Sequence, residues 1–75
     1  MPAAPVLLYT TTGCPHCDAR RAELRAAGVA FREIDVSREP QAIAELLKLT
    51  RGRRIVPVVV REGRIEIAPG GGSAF

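Results

Sequence analysis

Four apolar residues, Val6-Leu7-Leu8-Tyr9, run into Thr10-Thr11-Thr12-Gly13 and then directly into Cys14-Pro15-His16-Cys17. No other stretch restricts the fold as much. A short apolar run suits a strand buried on both faces, and such a strand needs helices to cover it. Pro15 is tolerated in a first helical turn, and Asp18 lies near the positive end of the helix dipole. Ala19, Ala22, Leu24, Ala26 and Ala27 carry that helix to a natural stop at Gly28. Residues 29–35 alternate loosely, with Val29, Phe31 and Ile34 apolar, and predict a second strand. Two strands joined through a helix must be parallel, with a right-handed connection.

The remaining pattern completes a mixed sheet. Ser37-Arg38-Glu39-Pro40 predicts a helix start with Ser37 as cap, and Ile43, Leu46, Leu47 and Thr50 follow at helical spacing. Gly52 and the arginines around it break the pattern. Residues 55–60, Ile-Val-Pro-Val-Val-Val, predict a third strand with Pro57 at its mouth. Glu62-Gly63 is a two-residue hairpin signal, and Arg64-Ile65-Glu66-Ile67 alternates as the return strand. The expected architecture is α/β, in the order β-α-β-α-β-β, with a mixed four-stranded sheet. Residues 1–75 form one domain, and residues 70–75 are expected to be a flexible tail beyond Pro69-Gly70-Gly71-Gly72.

Composition narrows the function classes. A chain of 75 residues that is 47% hydrophobic and lacks tryptophan must build a small aliphatic core. The net charge of +3 rests on arginine, with Lys48 the single lysine. Guanidinium groups favour carboxylate or phosphate partners, although a solvated face is the plainer reading. The only aromatic residues are Tyr9, Phe31 and Phe75, and no basic run interleaves with them, so nucleic acid is not expected as a partner. No segment reaches the roughly 18 apolar residues of a membrane span. Residues 1–9 carry neither a charged start nor a long apolar run, which argues against a signal peptide and for a cytoplasmic protein, and a monomer is expected. A static disulfide is disfavoured in the cytoplasm, and this turns the cysteine pair toward catalysis, sensing or metal binding.

Cys14 and Cys17 are the only cysteines, and His16 is the only histidine. A Cys-x-x-Cys beside a strand-then-helix pattern reads as a redox dithiol. A fixed staple would close too short a loop to gain much chain entropy, and a metal site would need more ligands than two cysteines and one histidine supply. Only a thiolate attacks a disulfide, and an ordinary thiol with pKa about 8.5 is sparsely ionised at neutral pH. Cys14 stands where the helix begins, where unpaired N–H groups and the dipole favour negative charge, and is therefore the expected nucleophile. Cys17 lies one turn further in and is the expected resolving thiol. Pro15 fixes the backbone at the helix start. His16, if cationic, would stabilise the Cys14 thiolate and make the couple more oxidising; the alternative is an exposed side chain with little effect.

The dithiol after the first strand, the stretch Thr50-x-Gly52-x-Arg54-x-Val56-Pro57 and the glycines at 70–72 together resemble the glutaredoxins of the thioredoxin superfamily, over residues 5–73. Within it the chain is similar to short bacterial glutaredoxin-like proteins, among them the UXX-star group. The resemblance implies a thioredoxin-like fold and thiol–disulfide oxidoreductase activity. It also implies a cis Pro57 facing the cysteines, and a Val56 whose N–H and C=O pair with the substrate backbone. Arg54 would pair with a substrate carboxylate, a solvent-facing arginine being the alternative, while Thr12 and Gly71 would line the site. No bound cofactor is implied. Glutathione would be the co-substrate, the partner a disulfide-containing protein or a glutathione mixed disulfide, and the reductant glutathione or a thioredoxin-type reductase.

The chain departs from the family pattern in three places. Thr11 and Thr12 stand where a lysine is usual, and His16 stands where Tyr or Phe is usual. Ser73-Ala74-Phe75 replaces an acidic pair and a third helix. The missing lysine and acidic pair would remove polar contacts to glutathione that the family relies on, and the missing helix would uncover part of the sheet. A non-enzymatic module is the alternative: a metal or Fe–S carrier dimerising through Cys14, or a redox-sensing partner domain.

Overall fold

The computed structural model describes residues 6–75, so part of the segment read for a signal peptide lies outside the described residues. Strand β1 (Val6–Thr10) leads into helix α1 (Pro15–Ala26) and returns through strand β2 (Phe31–Asp35). A 3₁₀ turn, Pro40–Ala42, precedes helix α2 (Ile43–Thr50), and β3 (Ile55–Val56), β4 (Val58–Arg61), β5 (Arg64–Ile67) and β6 (Ser73–Ala74) follow. The main sheet has the order β2-β1-β4-β5. β1 is central: it runs parallel to β2, with Val6 opposite Phe31, and antiparallel to β4, with Leu8 opposite Val59. The β4–β5 hairpin turns at Glu62 and Gly63, both at positive φ, as the sequence signal requires.

Strand alternation sends successive side chains to opposite faces, and the core divides accordingly. Leu8 and Val59 meet Leu24 of α1 on one face, with Val6, Val29 and Phe31 packed around them. Tyr9 and Val58 meet Leu46 of α2 on the other face, together with Val36, Val56 and both cysteines. The two helices thus cover opposite faces of one sheet. No helix among the described residues is long and apolar enough to cross a membrane.

The sequence reading differs from the structure in three places. The third strand is not continuous. The Val56–Pro57 peptide is cis, and Pro57 offers no N–H to a ladder, so β3 leaves the main sheet before β4 enters it. Helix α2 also starts later than Ser37. The Ser37 N–H and hydroxyl bind the Asp35 carboxylate instead, in a turn that ends β2. Residues 70–75 do not form a tail without order: β6 pairs antiparallel with β3, placing Ser73 opposite Val56 and Ala74 opposite Ile55. Gly72 allows this pairing, because a Cβ there would lie 2.6 Å from the Val56 carbonyl oxygen and 2.7 Å from the Ala68 Cβ.

Candidate active site

Cys14 is the N-cap of α1. Its backbone is extended, with φ −95° and ψ 109°, and its sulfur accepts a hydrogen bond from the Cys17 N–H at 3.2 Å. Pro15 occupies the first helical position, where its missing N–H costs nothing. The Cys14 carbonyl accepts from the Asp18 N–H at 3.1 Å and starts the helical ladder. Cap chemistry and redox chemistry therefore coincide: a sulfur that satisfies orphan helix donors is more stable as a thiolate.

The two thiols differ in acidity, and neighbouring groups account for the difference. Burial works against ionisation of Cys14. It is outweighed by hydrogen bonds from the Cys17 thiol, the Ser73 hydroxyl and the N–H groups of Cys17 and His16, which hold Cys14 below the ordinary thiol range. Burial comes first for Cys17 as well, and the bond it gives to Cys14 and the charge on Cys14 add to it; the Cys17 thiol is pushed up to about 12, although the Thr11 N–H and Arg21 pull the other way. Alkylation of the reduced protein by iodoacetamide is expected to show one thiol with a pH midpoint below about 8.5, mapped to Cys14, with Cys17 protected at neutral pH. A midpoint at or above that value would contradict the hydrogen-bond pattern.

A charge network ties α1 to the sheet beneath the cysteines. Arg21 donates Nε and Nη2 to the two Glu33 carboxylate oxygens at 2.6 Å each, and Nη1 to Asp18 at 2.7 Å. Thr10 donates its hydroxyl to Glu33 at 2.9 Å. Arg21 holds the Glu33 carboxyl below the usual carboxylate range, against the effect of burial and with help from Thr10. Cys17, Arg21 and Leu24 share one face of α1 by spacing, so the face that buries the resolving thiol also carries the clamp. Spacing alone does not reveal that Glu33 answers Arg21.

The other site residues expected from sequence lie in four groups. Thr12 donates its hydroxyl to Asp35 at 2.7 Å, and it borders an open groove of about 620 Å³ that Arg21, Glu33 and Arg38 also line. His16 is exposed and lies over Gly71, which sits at φ 117°; a Cβ on Gly71 would come within 2.9 Å of the imidazole Cε1. Among the described residues the imidazole makes no hydrogen bond to either sulfur. Arg54 is engaged by Phe75: its Nε donates to the Phe75 carbonyl at 2.8 Å, and its guanidinium lies 4.7 Å from the ring centroid. Val56 is fully buried, as is Pro57, and Val56 sits in the core cluster that holds both cysteines. Its strand edge is paired with β6. Ser73 was not anticipated. Its hydroxyl lies 3.5 Å from the Cys14 sulfur, and the residue stands 59 positions away in sequence, so only the β3–β6 pairing brings it there. No cluster of three His, Cys, Asp or Glu side chains suited to a metal occurs among the described residues.

Comparisons with known proteins agree with this geometry. The glutaredoxin family model matches residues 6–65. The chain is 38% identical over 55 residues to a glutaredoxin of Pseudomonas aeruginosa, covering 73% of the chain and 64% of that protein. It is 37% identical over 59 residues to the Gene 56 protein of Mycobacterium phage L5, covering 79% of the chain and 56% of that protein. The chain thus spans 56% to 64% of the length of these two relatives. The crystal structure of a glutaredoxin from Archaeoglobus fulgidus superposes with a TM-score of 0.76 at 28% identity, over 93% of this chain and 76% of that one. With a cysteine pair at a strand-to-helix junction, a cis proline before β4 and a family match across most of its length, the chain belongs to the glutaredoxin family.

Proposed function

We propose that the protein is a thiol–disulfide oxidoreductase in which Cys14 attacks and Cys17 resolves. The observation that carries this reading is the opposite displacement of the two thiols: Cys14 is held below the ordinary range, while Cys17 is pushed up to about 12. The Cys14 thiolate attacks one sulfur of a substrate disulfide. A mixed disulfide forms on Cys14, and the other substrate sulfur leaves as a thiolate and takes up a proton. That step removes the Cys14 charge and the hydrogen bond that Cys17 gave to it, two of the causes that keep Cys17 protonated. The Thr11 N–H and Arg21 then favour ionisation of Cys17. Cys17 loses its proton and attacks the Cys14 sulfur, and the second substrate thiolate departs. Two electrons pass to the substrate, and the protein is left with a Cys14–Cys17 disulfide.

The cycle closes when glutathione or a thioredoxin-type reductase returns two electrons to that disulfide. A lowered Cys14 pKa stabilises the reduced dithiol, which makes the couple more oxidising, and a cationic His16 would act in the same direction. The experiment is steady-state reduction of bis(2-hydroxyethyl) disulfide, with the protein coupled either to glutathione and its reductase or to a thioredoxin reductase. Turnover in at least one arm is expected and identifies the reductant. No turnover in either arm would refute the reading.

A further inference from the structure

The main sheet ends at β5, which has a strand partner on one side only. Ile65 on this edge is 45% exposed, the one large hydrophobic side chain so exposed among the described residues. Ala68 donates its N–H to the Pro57 carbonyl, so by alternation Glu66 and Arg64 also turn their backbone groups toward β4. The N–H and C=O groups of Ile65 and Ile67 then point outward, with no strand to receive them. The side chains alternate as well. Ile65 and Ile67 stand opposite Val60 and Val58, on the face that α2 covers. Glu66 stands opposite Val59, on the face that α1 covers, and Arg64 shares that face.

The charges on this edge are not balanced within one chain. Arg64 stands directly opposite Arg61, an unfavourable cross-strand pair. Among the described residues no carboxylate answers Arg64. Glu66 lies 3.6 Å from the Arg61 Nε, too far for a hydrogen bond, and that buried Nε has no other acceptor. Glu66 is therefore loosely held, and Arg64 is free.

We infer that β5 pairs antiparallel with β5 of a second copy of this chain, about a two-fold axis at Ile65. Backbone bonds form only between outward-facing residues, and this leaves few registers. An axis at Glu66 sets Glu66 against Glu66, and an axis at Arg64 sets Arg64 against Arg64. An axis at Ile67 sets Glu66 against Ala68 and leaves Arg64 unanswered. Only the axis at Ile65 places Arg64 opposite the partner subunit's Glu66, and symmetry makes that pair twice. Those positions are not hydrogen-bonded to each other, and there facing side chains lie closest. The same register lays Ile65 on Ile65 and covers both. The two four-stranded sheets become one. No β5 residue belongs to the core cluster that holds the cysteines, so pairing leaves the dithiol as it is.

Sedimentation equilibrium of the full chain tests this, with dithiothreitol present so that no intermolecular disulfide contributes. Between about 10 μM and about 1 mM the mass is expected to rise from 8.1 kDa toward twice that value. A mass that stays at 8.1 kDa over the whole range overturns the inference. Arg64→Glu opposes two carboxylates at both ends of the interface and is expected to raise the dissociation constant about tenfold or more. Arg64→Glu/Glu66→Arg exchanges the charges and sets the introduced carboxylate opposite Arg61, so pairing is expected to return. An unchanged constant in the single variant, or no recovery in a folded double variant, refutes the register. Amide hydrogen exchange locates the contact without any substitution. The Ile65 and Ile67 N–H groups are expected to exchange about tenfold more slowly in the concentrated sample than in the dilute one. Equal exchange where the mass has doubled would put the contact elsewhere and overturn the role of β5.

Discussion

Replacing Cys14 with serine is expected to lower turnover of a small disulfide by at least about 10³-fold, because removal of a covalent nucleophile leaves only the binding and electrostatic parts of catalysis. Cys17 cannot take over. It is fully buried, and burial, the first cause of its raised pKa, persists when Cys14 is replaced. The serine would keep the cap, since a hydroxyl at position 14 can accept from the Cys17 N–H as the sulfur does. The variant should therefore melt within a few degrees of the unaltered protein. Loss of turnover with unchanged melting separates a chemical role from a structural one. Circular dichroism melting beside a coupled reductase assay measures both.

The second large effect concerns stability. Leu24 is 1% exposed and is the residue of α1 that meets Leu8 and Val59 on its face of the sheet. Leu24→Ala removes that contact and leaves a cavity, at about 2–5 kcal/mol. A chain of this length is expected to have about 4–11 kcal/mol of stability in total. The loss is therefore a large fraction of the whole, and Tm should fall by about 10–30 °C. The site should suffer with it, because α1 presents Cys14 at its first turn. The Arg21–Glu33 clamp, midway along the same helix, ties it to β2. A Tm within 3 °C or so of the unaltered protein would mean that the helix is anchored elsewhere.

Local features of the site can be read from sequence, and its long-range closure cannot. Cys14, Pro15 and Cys17 sit within one helical turn, so residue type and spacing alone define a capped dithiol. Pro57 signals a break in its strand because it lacks an N–H, and β3 and β4 do separate there. Ser37 shows the limit of a local rule. Cap chemistry suggests a helix start, but the side chain has a closer acceptor in Asp35 and closes a turn. Arg21 and Glu33 are both visible as charges, but their pairing depends on the crossover that lays α1 over β2. β6 was the hardest element to foresee. Three glycines followed by Ser-Ala-Phe have no strand periodicity, and the partner edge exists only because β3 has left the main sheet. In the structure the Val56 backbone, expected to pair with substrate, is paired with Ser73 of β6.

The central claim is an asymmetric dithiol in which Cys14 attacks first. It is tested most directly by treating Cys17→Ser with oxidised glutathione and locating the adduct by mass spectrometry of proteolytic fragments. The account predicts one glutathione per chain, on Cys14, and no adduct on the other thiol when Cys14→Ser is treated alike. Equal labelling of the two variants, or labelling only where Cys17 remains, would contradict it.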